Sequence, residues 1–151
     1  MKIKTRLLGE VEIDDEDIIV FPDGILGFEE SRKFILLDIP ENDVYKVLQD
    51  TDNEFVCFVV VNPWVFFGNY EIDIPDDELL KINIRNKEQL AVMNIVTMSG
   101  EFEKSTVNLL APVFINAVSK FGRQYVLNNG SYRTKHPLFQ KAGGEVDAGS
   151  K

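Results

Sequence analysis

The chain reads as an all-β protein whose strands close, or nearly close, on themselves. Three observations lead there. Apolar or alternating segments recur roughly every eight to twelve residues, bounded by Gly, Pro, Asn and Asp. No segment sustains the 3.6-residue apolar period of a long helix. Spacing that short suits antiparallel strands better than a parallel α/β sheet. The expectation is about eight to ten short strands with one or two short helices. The 151 residues fit a single domain. We place it over residues 1–140 and read 141–151, Gly-rich and polar, as a disordered tail.

Each element has its own signal. Lys2 to Leu8 alternates charged and apolar residues, the period of a half-buried strand. Gly9-Glu10 turns, Val11 to Ile13 alternates again, and the acidic run Asp14 to Asp17 reads as a loop. Ile18 to Phe21 is a short strand. It leads into Pro22, Gly24 and Gly27, a shaped connection whose ends, Phe21 and Phe28, can reach a core. Phe34 to Asp38 and Tyr45 to Gln49 are strands, and Asp50 to Asn53 is tight enough to make an antiparallel hairpin with Phe55 to Val61. That last run is apolar throughout and is expected to be buried on both faces.

Asn62-Pro63 ends it, and an aromatic segment from Trp64 to Tyr70 follows. Asp76 to Lys81 reads as a short helix with acids in its first turn, where the helix dipole favours them. Asn86 to Gln89 is a second helical turn capped by Asn86. Leu90 to Met98, Thr106 to Leu110, Val113 to Val118 and Gln124 to Leu127 are strands, Pro112 marks an edge or bulge, and the turn before the last strand centres on Lys120 to Gly122. Tyr132 to Leu138 is partly extended.

The formal net charge is −9. It is uneven: residues 1–103 carry 9 basic and 23 acidic side chains, and residues 104–151 carry 7 and 2. Such a surface repels phosphate backbones and attracts basic partners, which argues against direct nucleic-acid binding. The seven-residue apolar run is too short to span a bilayer, so no membrane insertion is expected. No secretory signal follows Met1, and a cytoplasmic location is the expectation.

Catalytic patterns are absent. His136 and Cys57 are the only residues of their kinds, and Cys57 sits in an apolar strand where an inert thiol is expected. Asp14 to Asp17 lacks the spacing and glycine of a calcium loop. No catalytic residue, metal or cofactor is therefore assigned. Trp64 and Tyr70 have two readings, a lid on the core or an interface anchor. Glu71, Asp73, Asp76, Asp77 and Glu78 follow, and an aromatic anchor rimmed by acids suits a partner with apolar and basic surface. Ile25, Leu26 and Glu29 likewise read either as parts of a shaped turn or as a contact loop.

Several blocks, in order and without large gaps from about Lys2 to about Leu138, resemble the bacterial flagellar assembly factor FliW family. They are Phe21-Pro22-Asp23-Gly24-Ile25-Leu26-Gly27-Phe28-Glu29-Glu30, Phe34 to Leu37, Phe58 to Tyr70 and Met93 to Thr97. The fullest runs from Thr106 to Asn116, with Asn108, Pro112 and Asn116 as its polar and rigid positions, and is followed by Gly122 to Leu127. The resemblance implies a small, mainly antiparallel β pseudo-barrel, monomeric and without enzymatic activity. It implies two protein partners bound in turn: flagellin, the filament subunit, and CsrA, a small dimeric RNA-binding translational repressor. Once export removes flagellin, the freed factor would bind CsrA and relieve repression of flagellin mRNA. One alternative is a small-ligand-binding or hydrolytic β-barrel of unknown substrate; another is an oligonucleotide-binding barrel, which would need a continuous basic groove around Arg123, Arg133 and Lys135.

Overall fold

The structure, a computed structural model, describes residues 1–139. The disordered tail expected over 141–151 lies outside the described residues.

Eleven strands form among the described residues. β1 (Lys2–Lys4) and β2 (Glu10–Glu12) make a separate antiparallel hairpin. β3 (Ile19–Val20), β4 (Lys33–Ile39), β5 (Asn42–Asp50), β6 (Cys57–Val61), β7 (Leu90–Thr97), β8 (Thr106–Val107), β9 (Val113–Asn116), β10 (Phe121–Gln124) and β11 (His136–Pro137) share one sheet in the order β11-β8-β7-β6-β5-β4-β3-β10-β9. β9 then pairs with β7, so seven strands close a ring. Pairing is antiparallel throughout, except that β10 runs parallel to β3. The all-β, mainly antiparallel reading holds, and among the described residues the α-helices are two and short: α1 (Pro63–Phe66) and α2 (Asp76–Leu80).

Alternation of side chains explains the packing. Inward positions of six of the seven ring strands, all but β10, meet in one cluster. Phe34, Leu48, Val60 and Val113 are fully buried at its centre, and Leu36, Phe58, Ala91, Met93 and Ile95 pack around them. The outward positions are also apolar, because three other pieces of chain cover them. The β1–β2 hairpin lays Ile3 and Ile13 on Ile35 and Leu37. The segment through α2 lays Ile72, Ile74, Ile82 and Ile84 on Phe114 and Val92. The aromatic segment and the C-terminal stretch lay Phe66, Phe67, Tyr70 and Leu138 on Val59, Val61, Val96 and Val107.

β7 is where the ring closes. Its first half pairs with β9 (Met93 opposite Val113) and its second half with β8 (Val96 opposite Val107). Three residues of β7 thus span six positions of the partner, so Asn108 to Pro112 bulges out. The Asn108 side chain accepts from Ala111 N at 2.9 Å, and buried Asn94 donates to Asn108 O at 2.8 Å. Pro112, lacking an N–H, sits buried just before β9, where the ladder is already interrupted. Asn116 ends β9: its Oδ1 accepts from Val118 N and Ser119 N, and its Nδ2 donates to Ile82 O at 2.8 Å.

Several local expectations shift. The strand placed at Gln124 to Leu127 is three residues earlier, because the turn falls on Ala117 to Lys120, where Lys120 takes φ +63°. Thr106 to Leu110 is a strand only to Val107, since the bulge begins at Asn108. Tyr132 to Leu138 contributes only His136–Pro137. Phe55, read as part of a doubly buried strand, is 70% exposed and precedes β6. The acidic loop holds one 3-10 turn, Asp15–Asp17. Helix α1 was not expected, although its signal is visible in Asn62-Pro63. Asn62 Oδ1 caps Trp64 N at 2.9 Å and Pro63 takes the first helical position, where a missing N–H costs nothing.

Candidate functional site

The opening motif is principally architecture. Phe21 and Ile25 are buried in the barrel cluster. Gly24 has φ +68°, and a Cβ there would stand 2.7 Å from the backbone of Glu29 and Phe28, so the turn closes only on glycine. Gly27 also takes positive φ, +85°. Pro22 is exposed at the start of the turn. Phe28, expected in the core, is exposed on one side and meets Phe58 edge-on at 5.1 Å on the other. Leu26 is 58% exposed, and its N–H donates to Gln124 Oε1. Glu29 is exposed, and its carboxylate accepts from Gly27 N at 3.0 Å, which ties it to its own turn.

Arg123 joins this turn to α2. Its guanidinium is paired with Asp23 and with Glu78, the latter at 3.0 Å. Glu78 also holds Lys81 at 2.7 Å. Lys81 and Arg123 together keep the Glu78 carboxyl below the usual range. Glu78 is therefore a neutralised strut rather than a free surface charge, unlike the docking carboxylate it resembles in the sequence. Glu71, Asp73, Asp76 and Asp77 are exposed. Ile72 and Ile74 alternate with them and point into the packing under α2.

The two candidate anchors separate. Tyr70 is 5% exposed, and its hydroxyl donates to Leu109 O at 2.6 Å while accepting from Asn94 Nδ2 at 3.2 Å. Burial pushes its pKa up to about 12. It is a core residue of the closure and offers nothing to a partner. Trp64 is 39% exposed, and its indole N–H donates to Tyr70 O at 2.9 Å. This bond holds the ring beside the main chain one residue before Glu71.

A larger apolar patch escaped the sequence reading. Phe66 of α1, Tyr45, Phe102 and Phe139 form a chain of rings with centroids 4.9 to 6.4 Å apart. Phe102 is 48% exposed, and Val65 and Met98 are exposed too. The available signal was Glu101-Phe102-Glu103, an aromatic residue set between acids in a polar stretch. Helix α1 joins the two surfaces, with Trp64 at the acidic strip and Phe66 at the aromatic patch.

Among the described residues no group of three or more His, Cys, Asp or Glu is placed to hold a metal ion, and no helix is long and apolar enough to cross a membrane. Burial pushes the Cys57 thiol up, so it stays protonated and poorly nucleophilic.

Residues 2–138 match the family described as FliW protein. The chain belongs to the FliW family. Its FliW relatives include the flagellar assembly factor FliW of Syntrophomonas wolfei, 42% identical with 99% of this chain and 96% of that protein covered. The Bacillus subtilis flagellar assembly factor FliW is 41% identical, with 91% and 96% covered. A crystal structure of a flagellar assembly factor FliW superposes with a TM-score of 0.87 at 37% identity, covering 92% of this chain and 97% of that one. The mainly antiparallel architecture of this chain is thus that of a solved FliW structure.

One titration follows from the FliW closure strands. His136 of β11 packs edge-on against Phe67 at 5.2 Å, and its Nδ1 is buried without a hydrogen-bond partner among the described residues. Burial, helped by Arg133, lowers its pKa from the ordinary 6.5. The unfolded chain then binds a proton that the fold resists, so this stability is complete above pH 6.5 and declines as pH falls toward the depressed value. Glu78, lowered from 4.5, adds a second decline below that pH. We expect the melting temperature to fall from pH 7 to pH 5, and to fall less in His136→Gln. Parallel curves for the two proteins would remove His136 as the cause.

Proposed function

We propose that this chain is a catalytically silent, cytoplasmic and monomeric regulator of flagellar assembly that holds flagellin and CsrA in turn. The observation that carries the reading is a closed barrel with two exposed, chemically different surfaces joined by α1, in a chain whose relatives are named flagellar assembly factors. CsrA, as an RNA-binding repressor, must present basic surface. Its place is assigned to Trp64 with Glu71, Asp73, Asp76 and Asp77. A unit charge pair at 4 Å and an effective dielectric of 20 is worth about 4 kcal/mol before screening, and physiological salt limits its reach to about 8 Å. Carboxylates brought beside an RNA site also oppose phosphates without occupying that site. Flagellin must expose apolar assembly surface before it polymerises, and its place is assigned to Phe66, Phe102, Phe139 and Tyr45. Because α1 serves both surfaces, one partner would hinder the other.

The test is direct. The purified chain is mixed with CsrA carrying a labelled flagellin leader RNA. RNA release on addition of the chain, reversed by added flagellin, is the expected result. Changing Glu71, Asp73, Asp76 and Asp77 together to Lys should weaken CsrA binding by roughly a hundredfold at low salt and far less at high salt. Unchanged affinity at low salt removes the acidic strip from the site.

A further inference from the structure

The ring is not evenly walled. β3 has two residues and pairs with β4 only at Lys33 and Phe34, so β4 beyond Phe34 has no strand partner on that side among the described residues. β10 starts at Phe121, opposite Asn116, and does not extend the wall either. Residues 14–18 pair with no strand, and Asp14 and Asp17 stand beside the gap. The barrel interior shows the consequence. Phe34, Leu48, Val60 and Val113 are sealed, whereas Leu36, Ala91 and Met93, which point into the same cluster, stay only half-buried.

A cavity of about 440 Å³ opens at this gap, with Leu36, Ala91, Met93 and Ile115 in its lining and Glu12, Asp14, Asp17 and Lys120 at its polar rim. Its size is that of a ligand site. Its chemistry is not that of a small-molecule site, which needs polar groups converging on the ligand. Every ionic group in this lining belongs to the hairpin end, the acidic turn that follows it or the turn after β9, and the barrel strands supply only apolar side chains. Glu12 is occupied by the Met1 ammonium at 2.6 Å. Asp14 and Asp17 have no ion-pair partner among the described residues, and Asp15 and Glu16 lie between them.

We propose that this wall gap is a docking pocket for a peptide segment of a partner protein, one apolar side chain entering the barrel while flanking basic residues meet Asp14 and Asp17. The occupant is set by the two halves of the site. An apolar recess takes one aliphatic side chain, and an acidic rim that outweighs the single Lys120 selects cationic neighbours. The pocket shares no residue with the α1 surfaces, so this inference stands apart from the assignments made to them.

The probe is the capped peptide acetyl-Lys-Lys-Leu-Lys-Lys-amide, titrated at low salt into the methyl-labelled full-length chain. Met93 and Ile115 methyl resonances should shift and saturate. Replacing the peptide's Leu by Gly, or its Lys residues by Glu, should weaken binding by at least about tenfold. Ala91→Leu fills the recess and should abolish the shifts. The double variant Asp14→Asn with Asp17→Asn leaves the barrel interior untouched and should weaken binding by about tenfold. Silent Met93 and Ile115 methyls overturn the proposal, as does unchanged affinity in the rim variant. Shifts confined to residues around Trp64 and Phe102 would also overturn it, while leaving the α1 surfaces as binding sites.

Discussion

Gly122→Ala should destabilise this protein by about 3 kcal/mol or more, a fall of roughly 10 °C in melting temperature. Gly122 lies opposite Ile115 in the β9–β10 pair and faces the barrel interior. The space its side chain would need is filled by the ring of Phe21. A Cβ at that position would stand 2.6 Å from Phe21 Cε1, 2.8 Å from Cε2 and closer still to Cζ. The ring has nowhere to retreat. It is completely buried and sits edge-on to Phe34, with centroids 5.2 Å apart. Overpacking of this kind is relieved only by moving backbone or deleting the obstacle. Phe21→Leu alone should also destabilise, but less in combination with Gly122→Ala than the two single costs together predict. Thermal melts of the four proteins measure that coupling. A Gly122→Ala protein melting within a degree or two of the parent would refute the close approach.

Phe102→Ala should weaken flagellin binding by roughly thirtyfold, the loss of an interface anchor worth about 2 kcal/mol. CsrA affinity should change by no more than about twofold, as for a residue outside the interface. Trp64→Ala should do the converse, because its indole stands beside Glu71 and away from the Tyr45–Phe102–Phe139 rings. Phe102 is about half exposed, so its variant should melt close to the parent, whereas Trp64→Ala also loses the bond to Tyr70 O and is compared with the parent at a temperature where both are folded. Titration calorimetry against each purified partner reads the result. Two variants with parental affinity for both partners would strip α1 and its neighbours of their assigned roles.

The distance between legible and illegible features follows the range of the interactions involved. Turn chemistry was legible: Asp50 to Asn53 makes the β5–β6 hairpin, with Asp50 Oδ1 accepting from Asp52 N and Asn53 N. The Gln89 side chain accepts from Asn86 N, as a capped turn there requires. The aromatic segment was only half legible. Trp64 and Tyr70 look equivalent in the sequence, yet one lies against the surface and the other is locked to Asn94 and Leu109, 24 and 39 residues away. Within the acidic strip the pairing of Glu78 was illegible, because its partner Arg123 is 45 residues distant and belongs to a strand on the ring. Gly122 gave no sign of its importance, since its neighbour Phe21 is contributed by the motif at the other end of the chain.

By itself the sequence determined the all-β class, the hairpin order, the shaped turn at Gly24, the acid-rich first two thirds and the family. These depend on side-chain alternation, on residues that punctuate the backbone locally and on net charge, all of which are written within a few positions of one another. Only the tertiary structure decided that the ring closes at β7 through a bulge, that β3 is too short to complete the wall, which acids stay free and which aromatic rings meet solvent. Those outcomes depend on which distant side chain arrives to fill a space or pair a charge, and a strand's own residues do not specify its visitors.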